Sequence, residues 1–135
     1  MVLSKFFEKL GAPLANVRWS WGGVRPDGAV VLRVWQDRTV KHNDALYVQL
    51  THLEKYGDDR GTDNLGYSER LKHVQLLRRG AKSYLVMCLA KDPNTSPRAI
   101  KSFNRDDVFV GGRLTEINGD TWIELADRVP VKSII

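Results

Sequence analysis

Two turn signals constrain this chain more than any other feature. Arg25-Pro26-Asp27-Gly28 is followed by the alternating run Val30-Val31-Leu32-Arg33-Val34-Trp35, and Asn118-Gly119 is flanked by Leu114–Ile117 and Trp122–Leu125. Pro presets φ for the first turn position, while Gly, and Asn at a two-residue loop, accept positive φ. Asn-Gly between alternating apolar runs is the strongest short-range hairpin signal. The sequence therefore predicts a chain dominated by antiparallel β-hairpins. Val17-Arg18-Trp19-Ser20-Trp21 also alternates and reads as the first strand of the first hairpin.

The remaining elements fit around those hairpins. Residues 2–10 read as an amphipathic helix with Ser4 as N-cap, the stripe Leu3, Phe6, Phe7 and Leu10, and a stop at Gly11-Ala12-Pro13. Ala45–Leu50 is a strand candidate, and the Gly/Asp-rich segment from His52 to Gly66 reads as loop. Ser68 caps a second helix running to about Arg79, with Gly80 at its end. Its buried stripe is Leu71, Val74 and Leu77, with Arg70, Lys72, His73, Arg78 and Arg79 on the rest. Tyr84–Ala90 is apolar on both faces and reads as a central strand. Lys91–Arg98 is a turn region. Val108–Val110 leads through a bend or bulge at Gly111-Gly112 into the Asn118-Gly119 hairpin, and Val129–Val131 extends the sheet.

This order lacks the regular βαβα alternation of a doubly wound sheet. The expected fold class is α+β: a mostly antiparallel curved sheet or half-open barrel flanked by two helices, as a single domain over residues 1–135. The 135 residues suit one domain.

Charge and composition narrow the function classes. Lys and Arg number 21 and Asp and Glu 16, a formal charge of +5. That balance favours a polyanionic partner. The one cysteine, Cys88, excludes an intrachain disulfide and sits in an apolar run. Lys5, Glu8 and Lys9 interrupt the first apolar residues too early for a signal peptide, and no apolar run approaches a membrane span. A cytoplasmic protein without membrane contact is expected.

No catalytic motif can be read. Gly22-Gly23 and Gly111-Gly112 lack phosphate-loop spacing. His42, His52 and His73 lack zinc-ligand spacing. Asp58, Asp59 and Asp63 match no calcium loop and enclose Arg60. No metal and no cofactor is expected, and no nucleophile or acid–base pair can be named.

The unusual feature is tryptophan: four in the chain, three of them at 19, 21 and 35. Arg33 shares a strand face with Trp35. Aromatic rings beside arginines form a stacking platform for bases. The candidate nucleic-acid-binding residues are Arg18, Trp19, Trp21, Arg33 and Trp35 of the hairpin, with Arg70, Arg78 and Arg79 of the second helix as phosphate contacts. Val17, Trp19 and Trp21 can fill the core or instead line a cleft, and Trp35 is expected at the surface or in a cleft beside Arg33.

Four segments, Arg18-Trp19-Ser20-Trp21-Gly22, Val34-Trp35-Gln36-Asp37, Ser68-Glu69-Arg70-Leu71 and Ala90-Lys91-Asp92, give a likeness over less than a fifth of the chain. Through them the chain resembles small recognition modules of prokaryotic modification-dependent restriction systems, including those beside HNH nucleases. Its strand arrangement is similar, by analogy of architecture, to PUA-like and SRA-like half-open barrels. The resemblance implies recognition of modified DNA as part of a restriction or defence system, with cleavage in a partner nuclease. The reading ranked first is a nucleic-acid-binding module, with DNA the expected form. The alternative is a non-catalytic protein-interaction or regulatory subunit, supported by the apolar tail Val129, Val131, Ile134 and Ile135.

Overall fold

The structure is a computed structural model and describes residues 1–57 and 64–135. Asp58, Asp59 and Asp63, which match no calcium loop, lie outside the described residues. The elements are α1 (Leu3–Lys9), β1 (Gly22–Val24), β2 (Val30–Trp35), β3 (Thr39–His42), β4 (Ala45–Gln49), α2 (Leu53–Tyr56), α3 (Leu65–Arg78), β5 (Ser83–Ala90), β6 (Ile100–Phe103), β7 (Asp107–Ile117) and β8 (Asp120–Pro130). The eight strands form one sheet in the order β1-β2-β5-β7-β8-β4-β3, with β6 also paired to β5. All pairings are antiparallel except β2 with β5. The α+β architecture expected from the sequence is the one found. The sheet is curved and not closed.

Alternation along β2 and β5 divides the core in two. Val31, Tyr84, Val86 and Cys88 face α1, where Phe6, Phe7 and Leu10 dock fully buried. Val30, Leu32, Val34 and Leu85 face the other way and pack with Val74 and Leu77 of α3. Val48 of β4 and Ile123 of β8 join that second cluster although three strands separate β2 from β4 in the sheet order. The sheet must therefore curl around α3, as the right-handed twist of adjacent strands accumulates.

The turn chemistry behaves as its residues dictate. Gly28 N–H donates to the Arg25 carbonyl at 2.9 Å, and Gly28 has φ +87°. Asn118 and Gly119 both have positive φ between β7 and β8, and the register of that pair shifts around Gly111, the expected bulge.

Several expectations are corrected. Val17–Trp21 is not a strand. Ser20 N–H donates to the Asn16 carbonyl at 2.9 Å, Asn16 N–H to Ser20 Oγ at 2.9 Å, and Arg18 N–H to Asn16 Oδ1 at 2.9 Å. Asn and Ser side chains offer the backbone local partners that compete with a ladder, so the segment closes as a turn and Val17 is 70% exposed. β1 is only the three residues that follow. Ser4 lies inside α1, whose N-cap Val2 has no side-chain cap bond. α3 begins at Leu65, not near Ser68, because Asn64 is its N-cap and accepts from Tyr67 N–H at 2.9 Å. Part of the predicted His52–Gly66 loop is thus helical. Arg70 and His73 are on the buried face of α3, not its solvent face. β3 was not anticipated. It turns into β4 through Asn43 and Asp44, both left-handed.

The C-terminal residues are absorbed by the fold. Val131 is buried, Val129 and Ile134 pack on the α1 core, and Arg25 donates to the Ile134 carbonyl at 2.8 Å. Only Ile135 of the tail is an exposed large apolar residue. Among the described residues no helix is long and apolar enough to cross a membrane.

Candidate nucleic-acid interface

The 16–20 turn has a structural consequence. The chain leaves the sheet at Trp21, so the C-terminal half of β2 has no β1 partner. Arg33 N–H still reaches the Trp21 carbonyl at 2.9 Å. The Arg33 carbonyl is taken instead by Arg70 of α3, whose Nη2 donates to it at 2.5 Å. Glu69 fixes the turn from the same helix, accepting from Ser20 Oγ at 3.0 Å and Trp21 N–H at 3.3 Å. Gly66 lets α3 come this close, because a Cβ there would overlap the Trp21 indole.

A cleft of about 740 Å³ opens where these elements meet. Its walls are the start of α1, the 17–21 turn, the end of β2, residues 49–52, the ends of α2 and α3, and residues 96–100. The predicted site residues Arg18, Trp19, Trp21, Arg33, Trp35 and Arg70 all line it. Arg78 and Arg79 do not. Arg78 Nη2 donates to Thr121 Oγ1 at 2.8 Å, and Arg79 is the C-cap of α3, remote from the Arg70 end of the helix.

Arg33 is the centre of the arrangement. Its guanidinium lies over Trp21 at 5.1 Å and over Trp35 at 5.3 Å from the ring centroids. Its side chain donates to no acceptor among the described residues, and only its Nε is sealed from solvent. Arg70 is 4% exposed and lies 5.6 Å from the Trp21 centroid. It donates to the Leu50 carbonyl at 3.3 Å as well as to Arg33, and its Nε is buried without a partner. Neither arginine has a carboxylate within ion-pair distance among the described residues. Burial pulls the Arg33 guanidinium below its ordinary range. Burial, and then the like charge of Arg33, bring Arg70 down to about 9.

The aromatic groups are unequal. Trp21 is held in place by Tyr56 at 5.5 Å and Tyr67 at 6.1 Å, which stack on each other at 4.5 Å. Trp35 carries Arg33 and also Arg98, at 5.1 Å. Arg98 is pinned by a two-pronged pair with Asp37 at 2.7 and 2.6 Å. Trp19 has no ring or cation contact among the described residues and is half-buried at the cleft wall, the second of the two placements its sequence context allowed. Trp35 does lie in a cleft beside Arg33, but its ring is occupied. Trp19 is the ring with room for a stacked ligand.

The described lining holds six cations, Arg18, Arg33, Arg38, Lys55, Arg70 and Arg98, and no carboxylate. His52 adds a ring held 3.3 Å from Arg38 Nη1, and burial, then Arg38, keep it below the usual histidine range. Among the described residues no group of His, Cys, Asp and Glu could hold a metal. Cys88 is buried, and burial raises its thiol to about 11, far from the thiolate a nucleophile needs.

Sequence reasoning missed Tyr56, Tyr67, Arg38 and Arg98. Tyr67, Arg70, Val74 and Leu77 share one face of α3 at spacings of three and four, a signal that was legible. Tyr56 and Arg98 have none, because the fold alone brings them to Trp21 and Trp35. Compared with protein-family models, curated proteins and solved structures, the chain matches none.

Proposed function

We propose that this chain is a nucleic-acid-binding module whose cleft at the end of β2 receives an unstacked nucleotide. The observation that carries the reading is the cleft lining: six cations, three tryptophans and no carboxylate among the described residues. A buried guanidinium, Arg70, and a partly buried one, Arg33, neither with a carboxylate at ion-pair distance among the described residues, are costly to the folded chain. An anion that enters the cleft offsets that cost. Aromatic faces beside arginines take bases by stacking, which is indifferent to sequence because every base has a π-face.

DNA, including DNA with modified bases, is the form of the partner we favour, in keeping with the likeness to recognition modules of restriction systems. In that setting a partner nuclease would carry out cleavage.

The test is a titration of the chain with short single strands and duplexes, followed by tryptophan fluorescence. Binding is expected at about 50 mM salt and is expected to weaken log-linearly as salt rises, because phosphate neutralisation releases counterions. Absence of binding to every strand and duplex at low salt refutes the proposal.

A further inference from the structure

The Arg33 guanidinium lies against two indole rings. Trp21 and Trp35 sit at 5.1 and 5.3 Å from its central carbon, each with the cation over the ring. The rings occupy space beside the guanidinium and leave the edge that points away from Nε open. That edge carries the two Nη groups, which have no protein acceptor among the described residues and are not sealed from the cleft. In-plane approach to the two Nη groups is the geometry in which arginine holds a tetrahedral oxyanion with two parallel hydrogen bonds.

Two further facts restrict the oxyanion. Behind Arg33 stands Arg70, buried, with both Nη groups already committed to the Leu50 and Arg33 carbonyls. Arg70 therefore supplies positive potential rather than a contact. Glu69 offsets part of the Arg70 charge, yet a dianion still gains more from two neighbouring guanidiniums than a single negative charge does. The second fact is steric. An anion on the Arg33 Nη groups, beside the two indoles, can trail one substituent out through the cleft. A phosphodiester needs room for two sugars beside Trp21 and Trp35, a phosphomonoester for one.

We infer that the cleft holds the phosphomonoester of a nucleotide on the Arg33 fork, the phosphorylated end of a strand and not an internal phosphodiester. This deepens, and rests on, the reading of the chain as a nucleic-acid-binding module. Trp19, the ring with no other engagement, is the stacking partner for the base attached to that phosphate.

The experiment compares one short single strand in three forms, with a 5′-phosphate, with a 3′-phosphate and with hydroxyl ends, beside a mononucleotide and inorganic phosphate. Affinity is read by tryptophan fluorescence. One phosphorylated end is expected to tighten binding about tenfold or more over the hydroxyl-ended strand, the scale of one good charge-assisted contact. Arg33→Lys keeps the charge and removes the fork, so it is expected to bring that ratio close to one. Arg78→Ala, outside the cleft, is expected to leave the ratio unchanged.

Equal affinity for phosphorylated and hydroxyl-ended strands overturns the inference while leaving strand binding intact. Persistence of the ratio in Arg33→Lys also overturns it, since the phosphate would then sit elsewhere. Binding of the mononucleotide or inorganic phosphate with no binding of any strand upholds the phosphomonoester seat and overturns the nucleic-acid reading.

Discussion

His73 makes the fold sensitive to acid. It projects from the buried face of α3, 8% exposed, beside the close-packed Gly22, and its Nδ1 has no hydrogen-bond partner. Burial, and then the charge of Arg70, push its pKa from 6.5 down to about 4. The folded chain thus holds a neutral imidazole, while the unfolded chain takes a proton with the ordinary value. The contribution is fully present above pH 6.5 and is lost as pH falls towards 4. At about 1.4 kcal/mol per unit, the loss reaches about 2 kcal/mol at pH 5 and about 3 kcal/mol at pH 4. His73→Leu replaces the ring with an apolar group of similar bulk and leaves no polar atom unpaired. At pH 7 it is expected to change stability by less than about 1 kcal/mol. Urea unfolding of both proteins at pH 7, 6, 5 and 4 measures the difference. His52, also depressed, titrates in both proteins and cancels. Asp37, lowered by its hydrogen bond to Arg98, loses its contribution only as pH falls below about 3.8. Parallel pH curves for the parent and His73→Leu would show that His73 is not held neutral by its surroundings.

Other substitutions separate the roles of the cleft residues. Trp19→Ala is expected to weaken strand binding by about 1–3 kcal/mol, one stacked base, with little change in melting temperature. An unchanged dissociation constant would remove Trp19 as the stacking ring. Trp21→Ala, which empties the space among Tyr56, Tyr67, Arg33 and Arg70, is expected to lower stability by about 3 kcal/mol in urea titrations. Gly66→Ala drives a methyl group into the Trp21 indole and is expected to cost about 1–3 kcal/mol and to shift tryptophan emission; a parent-like spectrum and stability would contradict the close packing. The double substitution of Arg78 and Arg79 by Ala is expected to leave affinity for a short single strand within about twofold in a low-salt titration, since neither residue reaches the cleft.

Sequence alone determined the features that depend on a few adjacent residues. Arg25–Gly28 and Asn118-Gly119 specify their turns because the φ values are set by the residues that occupy them. The bulge at Gly111, the end of α3 at Gly80 and the central strand over Tyr84–Ala90 were legible for the same reason. So was the α+β class, which follows from the order of those elements. Where local signals compete, sequence misled. The alternation of Val17–Trp21 resembles a strand, but Asn16 and Ser20 satisfy the backbone locally and the strand never forms.

Only the tertiary structure decided which arginine of α3 lines the cleft. Arg70, Arg78 and Arg79 are the same residue type on one helix. α3 turns Arg70 towards the unpaired end of β2, while Arg78 binds Thr121 and Arg79 caps the helix. Trp35 lies in the cleft beside Arg33 as expected, but only the fold brings Arg98, 63 residues away in the numbering, over its ring. The cleft is assembled from segments scattered across the first 100 residues. Its charge, shape and unpaired guanidinium are properties of that assembly, because burial and the absence of a counter-charge depend on what the rest of the chain places nearby.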